Sequence, residues 1–308
     1  MKTFADRLVE AVRKKGSPCV VGLDPRIDLM PEFIKSGRGA PGSGTLSREV
    51  VCSIVTDFHE LVLDAVADLV PAVKPQLAFY EQYGLGGMEA FQNTVNAARA
   101  RGLLIIADGK RNDIASTAEA YAAAFLVGGA FESDSMTVTP YLGRDSLAPF
   151  VGACAKHGKG MFVVLKTSNP GSRDFQDQAL AGTGRPLYET IAGIISDLGK
   201  NLVGESGYSS IGAVVGATFP EEGRRLRALL PQALILVPGY GAQGGSAQSA
   251  AACFHENGLG AVVSSSRGIT YAHSDPGIGR KAFAQLLRDN TRRMIEEIAK
   301  ATSAPTPV

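Results

Sequence analysis

The stretch "IIADGKRNDIAST", residues 105–117, holds two carboxylates and a lysine, Asp108, Lys110 and Asp113, within six positions. These charges come straight after the apolar run 103–106. Solvated charge patches do not usually begin where a buried strand ends. The apolar run reads as a strand and the residues after Asp113 as the start of a helix, so the charges occupy a strand-to-helix junction.

Seven more runs repeat this arrangement. In chain order the eight are "CVVGLD" (19–24), "LVPAVK" (69–74), "LLIIAD" (103–108), "MTVTP" (136–140), "MFVVLK" (161–166), "IGAVVG" (211–216), "LILVPG" (234–239) and "AVVSSS" (261–266). Helical spacing lies between them. Residues 50–69 repeat apolar positions at Ile54, Phe58, Leu61 and Ala65, and 246–257 has Ser246 placed as cap and Gly258 as stop. Continuous apolar strands, each followed by a helix, predict a parallel sheet buried on both faces, and closure into a (β/α)8 TIM barrel is the simplest form. An open doubly wound sheet is the alternative. Against it, "GLDPRIDL" follows the first strand where a GxGxxG turn would stand.

The 308 residues, 45% hydrophobic with 36 glycines, suit one barrel of about 250 residues plus insertions. The expected domain covers 1–300, with loop insertions at about 25–49 and 168–207, and "ATSAPTPV" (301–308) is expected to be a disordered tail. Lys and Arg outnumber Asp and Glu by one, so no diffuse basic field points to nucleic acid or a membrane surface. A small molecule is the expected partner. Residues 1–17 read as an amphipathic helix ended by Gly16 rather than a signal peptide, and no 18-residue apolar stretch occurs, so a cytoplasmic location is expected. Cys19, Cys52, Cys154 and Cys253 form no CxxC pair and read as reduced, mostly buried thiols. His59, His157, His255 and His273 fall away from the strand ends and read as surface or helix-packing residues.

A barrel puts chemistry at the C-terminal ends of its strands. There stand Asp24, Lys74, Asp108 with Lys110, and Lys166. Strand residues two apart point the same way, so Asp108 and Lys110 are expected to share the barrel mouth with Lys74 on the next strand. Singly, each could be a capping charge or a surface ion pair of little worth. Together, three ionisable groups on one mouth carry a desolvation cost that mere decoration does not explain. After the seventh and eighth runs come "VPGYGAQGGS" (237–246) and "SSSRGI" (264–269). Glycine-exposed amides there, with Arg267 as a bidentate cation, suit a phosphate dianion.

"DGKRNDIAST", "AVKPQ", "KTSNPGS", "PGYGAQGG" and "SSSRGI", in this order on a barrel, resemble the orotidine 5′-phosphate decarboxylase family in its longer-chain, type 2 branch. The resemblance runs from about residue 20 to 270 and departs at the two insertions. It implies decarboxylation of orotidine 5′-phosphate to uridine 5′-phosphate, with no metal or organic cofactor, by a homodimer whose active sites are shared. Lys110 would then be the proton donor to C6 of the pyrimidine, flanked by Asp108 and Lys74. Asp113, with Ile114 and Thr117, would reach the partner's site. Asp24 and Lys74 would hold ribose hydroxyls, Ser168 the pyrimidine edge, and Gln243 and Arg267 the 5′-phosphate. Thr139 and Pro140 would line the mouth near the base, and Pro238, Gly244 and Gly268 would complete the substrate loops. Two other readings stay open: a metal-dependent sugar-phosphate decarboxylase or aldolase on the same barrel, and a non-catalytic nucleotide-binding barrel.

Overall fold

The computed structural model describes residues 2–37, 46–241 and 244–302. Its strands are β1 (Cys19–Leu23), β2 (Ala72–Pro75), β3 (Leu104–Arg111), β4 (Ser135–Val138), β5 (Gly160–Lys166), β6 (Ser209–Val215), β7 (Ala233–Val237) and β8 (Ala261–Ser265). Its helices are α1 (Phe4–Lys15), α2 (Glu32–Lys35), α3 (Arg48–Val66), α4 (Leu77–Glu81), α5 (Gly84–Ala100), α6 (Ala115–Leu126), α7 (Arg144–His157), α8 (Leu187–Gly199), α9 (Pro220–Leu229), α10 (Ala247–Ala251), α11 (Arg267–Thr270) and α12 (Arg280–Thr302). Every strand pairs in parallel with the next, and β8 returns to pair with β1. The sheet is therefore a closed (β/α)8 TIM barrel, and the doubly wound alternative falls.

Side-chain alternation along each strand sorts the molecule into two cores. Outward residues such as Val21, Val73, Ile105 and Val263 pack under the helices. Inward residues Val20, Ala72, Ile106, Phe162, Leu236 and Val262 fill the barrel and meet Phe4, Leu8, Val9 and Val12 of α1, which closes the floor. Phe4 stands edge-on to Phe162, with ring centroids 5.9 Å apart. Gly160 makes room for it: a Cβ there would come within 2.1 Å of the Phe4 ring. Thr3 caps α1 by accepting the Asp6 amide, and Gly16 ends it in the left-handed region, as expected from the sequence.

Continuing the inward rows upward replaces apolar side chains with polar ones. Ala72 is succeeded by Lys74 and Gln76, Ile106 by Asp108, and Val262 by Ser264 and Ser266. The mouth is thus polar by the same period that makes the floor apolar.

Several boundaries differ from the sequence reading. Ser246 does cap α10 through the Ser249 amide, but the helix stops at Ala251 instead of continuing to 257. There the chain turns: the His255 amide donates to the Leu259 carbonyl, while the His255 ring meets the Pro231 carbonyl. The stretch 168–207 is not one loop insertion, because 187–199 form α8, the barrel's own helix after β5. Of 25–49, a short 3-10 turn (Ile27–Leu29) and α2 are seen, and 38–45 lie outside the described residues. Of the expected disordered tail, Ala301 and Thr302 are instead helical, and 303–308 lie outside the described residues. No helix among the described residues is long and apolar enough to cross a membrane.

Candidate active site

A cavity of about 650 Å³ opens at the C-terminal ends of the strands. Asp108 is buried in its wall. Lys74 Nζ donates to Asp108 Oδ2 at 2.6 Å, and Lys110 Nζ donates to Asp108 Oδ1 at 2.6 Å. Thr137 on β4 adds a hydrogen bond from its hydroxyl to Asp108 Oδ1 at 2.9 Å, and Thr137 Oγ1 in turn accepts the Lys110 backbone N–H at 2.9 Å.

The proximity of Asp108 and Lys110 has a different cause from the pleat alternation inferred from sequence. Ala107 pairs with Met136 and Arg111 with Val138, so four steps along β3 face two along β4. This bulge contains both charged residues. Within it Lys110 adopts φ 46°, in the left-handed region that non-glycine residues rarely occupy. Thr137 holds the strained amide, and the bulge brings the ammonium back onto the carboxylate. Strain of this kind persists where its surroundings over-determine it, and it clusters at functional sites.

The electrostatics follow from burial. Burial alone would raise the Asp108 carboxyl, but Lys74 and Lys110 outweigh it and hold the group far below the usual carboxylate range. Burial likewise opposes the Lys74 charge, yet Asp108 and Asp24 overcome it and raise the ammonium. Lys110 keeps 42% of its side chain exposed where Asp108 keeps 7%, so it is the charge a ligand can touch.

Across the cavity, Asp24 is governed by burial, which pushes its carboxyl up against the pull of Lys74 and a Ser266 hydrogen bond. Its Oδ1 is buried and unpartnered. Gly22 permits this approach of β1 to the loop after β8, since a Cβ there would fall 1.9 Å from Ser266 Oγ.

The structure brings Asp24, Lys74, Asp108, Lys110, Ser168, Pro238 and Arg267 onto one cavity. Among the described residues, Asp113, Ile114, Thr117, Thr139, Pro140, Gly244 and Gly268 do not line it. Gln243 lies outside the described residues. Asp113 instead accepts the Ile114 amide at the start of α6, where Ile114 and Thr117 are exposed. In the loop after β7, the amides of Gly241, Gly244 and Gly245 donate within the loop itself, to Gly245, Gly241 and Gly239. These three are not free donors for a phosphate, contrary to the sequence reading. Lys166 is fully buried and turned away from the cavity; it pairs with Asp177 and Ser172 and lies over the Phe219 ring, pinning the excursion after β5.

Sequence reasoning missed Thr137, Arg26, Gln76, Tyr240 and Tyr271. Thr137 had a signal in its parity, two positions before Thr139 on the same run. Tyr271 had none beyond its place four residues after Arg267.

Residues 21–282 match the orotidine 5′-phosphate decarboxylase / HUMPS family. The chain belongs to that family. Orotidine 5′-phosphate decarboxylase of Rhodopirellula baltica is 46% identical to it over 280 residues, 89% of this chain and 90% of that one. The Clostridium perfringens enzyme of the same name is 42% identical over 97% of this chain and 99% of its own. The solved structure of Leishmania donovani OMP decarboxylase covers 98% of this chain and 99% of that one, with a TM-score of 0.72 and 30% identity. The family's barrel is therefore present here nearly whole, with the Lys74–Asp108–Lys110 array at its mouth.

Proposed function

We propose that this chain decarboxylates orotidine 5′-phosphate to uridine 5′-phosphate and CO2, and that the carrying observation is the buried Asp108 with an ammonium on each oxygen. Breaking the bond from C6 to the carboxylate leaves its electron pair on C6, in an orbital the ring carbonyls cannot delocalise. Stabilisation must then come from charge already in place. The Lys110 ammonium is half-exposed and held by Asp108, so it faces the developing anion and then gives C6 a proton. Asp108 aims that lysine, because Lys110 Nζ donates to its Oδ1 at 2.6 Å.

Asp24 and Lys74 are proposed to hold the ribose hydroxyls, Ser168 the pyrimidine edge, and Arg267 with Gln243 the phosphate. Thr139 and Pro140, with Pro238, Gly244 and Gly268, belong to loops bordering that substrate. A homodimer is proposed as well. Asp113, Ile114 and Thr117 stay off this subunit's cavity, and Ile114 is 55% and Tyr141 82% exposed, an apolar surface suited to a second copy. The three residues would then enter the partner's cavity.

The test is turnover of orotidine 5′-phosphate by the purified chain in excess EDTA, followed by loss of the substrate's absorbance and release of CO2. Wild type is expected to turn over, and Lys110→Ala to lose at least about 10³-fold in kcat. Strict metal dependence, or an active Lys110→Ala variant, would overturn the assignment. Mixing inactive Lys110→Ala with inactive Asp113→Ala is expected to restore part of the activity by building one intact shared site. No recovery despite subunit exchange would remove the shared-site dimer while leaving the reaction in place.

A further inference from the structure

Residues 24–27, "DPRI", leave β1 with no strand beside them, so their backbone groups need partners from elsewhere. The Arg26 and Ile27 carbonyls accept backbone amides of the following turn, and side chains supply the other four contacts. The Gln82 amide donates to the Pro25 carbonyl at 3.4 Å, and the Ile27 N–H donates to Tyr83 Oη at 3.1 Å. The other two contacts fall on one atom: Tyr271 Oη donates to the Asp24 carbonyl at 3.0 Å and accepts the Arg26 N–H at 2.9 Å. A hydroxyl suits this double task because it is donor and acceptor at once.

Tyr271 follows directly on α11, the short helix that begins at Arg267, and its own N–H donates to the Arg267 carbonyl. Its ring lies flat against Phe58 of α3, with centroids 5.6 Å apart and planes 11° apart, so the phenol cannot swing freely. Burial pushes its ionisation far up, which keeps the hydroxyl a neutral donor. Arg26, Asp24, Arg267 and Tyr271 all border the same cavity. One buried hydroxyl therefore ties the segment carrying Asp24 to the segment carrying Arg267.

We propose that Tyr271 is a positioning residue that couples the phosphate end of the cavity to the ribose end. Its hydroxyl transmits the placement of α11, set when a phosphate engages Arg267, to Asp24 and Arg26. This rests on the nucleotide reading above. Binding energy from a non-reacting phosphate accelerates a reaction only if it assembles groups elsewhere in the site, and this hydroxyl is a built connection by which it does so.

The experiment compares orotidine 5′-phosphate with orotidine, the nucleoside lacking the phosphate, in wild type, Tyr271→Phe and Tyr83→Phe. Tyr271→Phe keeps the ring on Phe58 and removes both hydrogen bonds. The expected result is that the ratio of kcat/KM for nucleotide over nucleoside falls by about tenfold in Tyr271→Phe, while the nucleoside value itself moves less than about threefold. Tyr83→Phe loosens the same segment without touching α11, and its ratio is expected to stay at the wild-type value. Equal losses on both substrates in Tyr271→Phe, or the same fall in ratio in Tyr83→Phe, would overturn the coupling. Wild type inactive on orotidine 5′-phosphate would sink the nucleotide reading instead. A second readout needs no variant: exchange of the Arg26 amide is expected to slow at least about tenfold more with saturating uridine 5′-phosphate than with saturating uridine. Equal protection by the two would also overturn it.

Discussion

The two sides of the cavity solve the problem of buried charge in opposite ways. On the β2–β3 side, Asp108 has both oxygens filled by Lys74, Lys110 and Thr137, and the group is satisfied with nothing bound. On the β1–β8 side, Asp24 is half-buried and its enclosed Oδ1 is unpartnered. The first side is organised in advance for charge that appears only during reaction; the second is left wanting a hydroxyl or a cation from a ligand. Preorganisation and binding are thus assigned to different walls of one barrel.

The contrast breaks most visibly at Asp108. Asp108→Asn leaves two ammoniums beside each other with one carboxylate lost, and should lower stability by about 3–5 kcal/mol and kcat by at least about 10³-fold. Chemical denaturation across pH gives the sign. A carboxyl held below its ordinary value of 3.8 stabilises the fold fully above that value and ceases to do so as the pH falls through its lowered one. The gap between wild type and variant should therefore be full at neutral pH, begin to shrink below about pH 4 and close only as the pH falls through the lowered value.

Thr137→Val tests whether the bulge needs its hydroxyl. The Lys110 amide loses its acceptor, and a loss of about 1–2 kcal/mol with about a tenfold fall in kcat is expected, seen as a kcat effect larger than any change in KM. An unchanged kcat would show that the left-handed turn at Lys110 holds without Thr137.

Asp24→Asn should give the smallest stability change and the opposite sign. A carboxyl raised above 3.8 costs stability once it ionises, so the variant should gain about 1 kcal/mol at neutral pH and nothing at low pH, while kcat/KM drops about tenfold. A loss of stability at neutral pH would show that Asp24 is needed by Lys74 more than it is penalised by burial.

How much of this was legible depended on which physical signal each residue leaves in sequence. Strands of Val, Ile and Leu ending in charge announce a parallel barrel because burial on both faces demands it, and Asp24, Lys74, Asp108 and Lys110 stood out as polar residues where the period called for apolar ones. The bulge did not show: nothing in "ADGKR" says that Lys110 turns left-handed, so the correct pairing was reached through the wrong geometry. Thr137 was hidden because threonine is an ordinary strand residue, and its hydroxyl matters through the Lys110 amide and the Asp108 carboxylate of a neighbouring strand. Tyr271 was hidden for the same reason across a longer distance. The overlong helix at 246–257 shows the reverse failure, a local period continuing past the point where His255 finds tertiary partners.

Helix α1 also sets an order in time. Its apolar face is buried against inward side chains contributed by strands from β1 to β8, a surface that exists only once the ring has closed. Helix α1 precedes every strand of the ring in sequence, yet it must be among the last elements to find its place, waiting on contacts from strands as distant as β8.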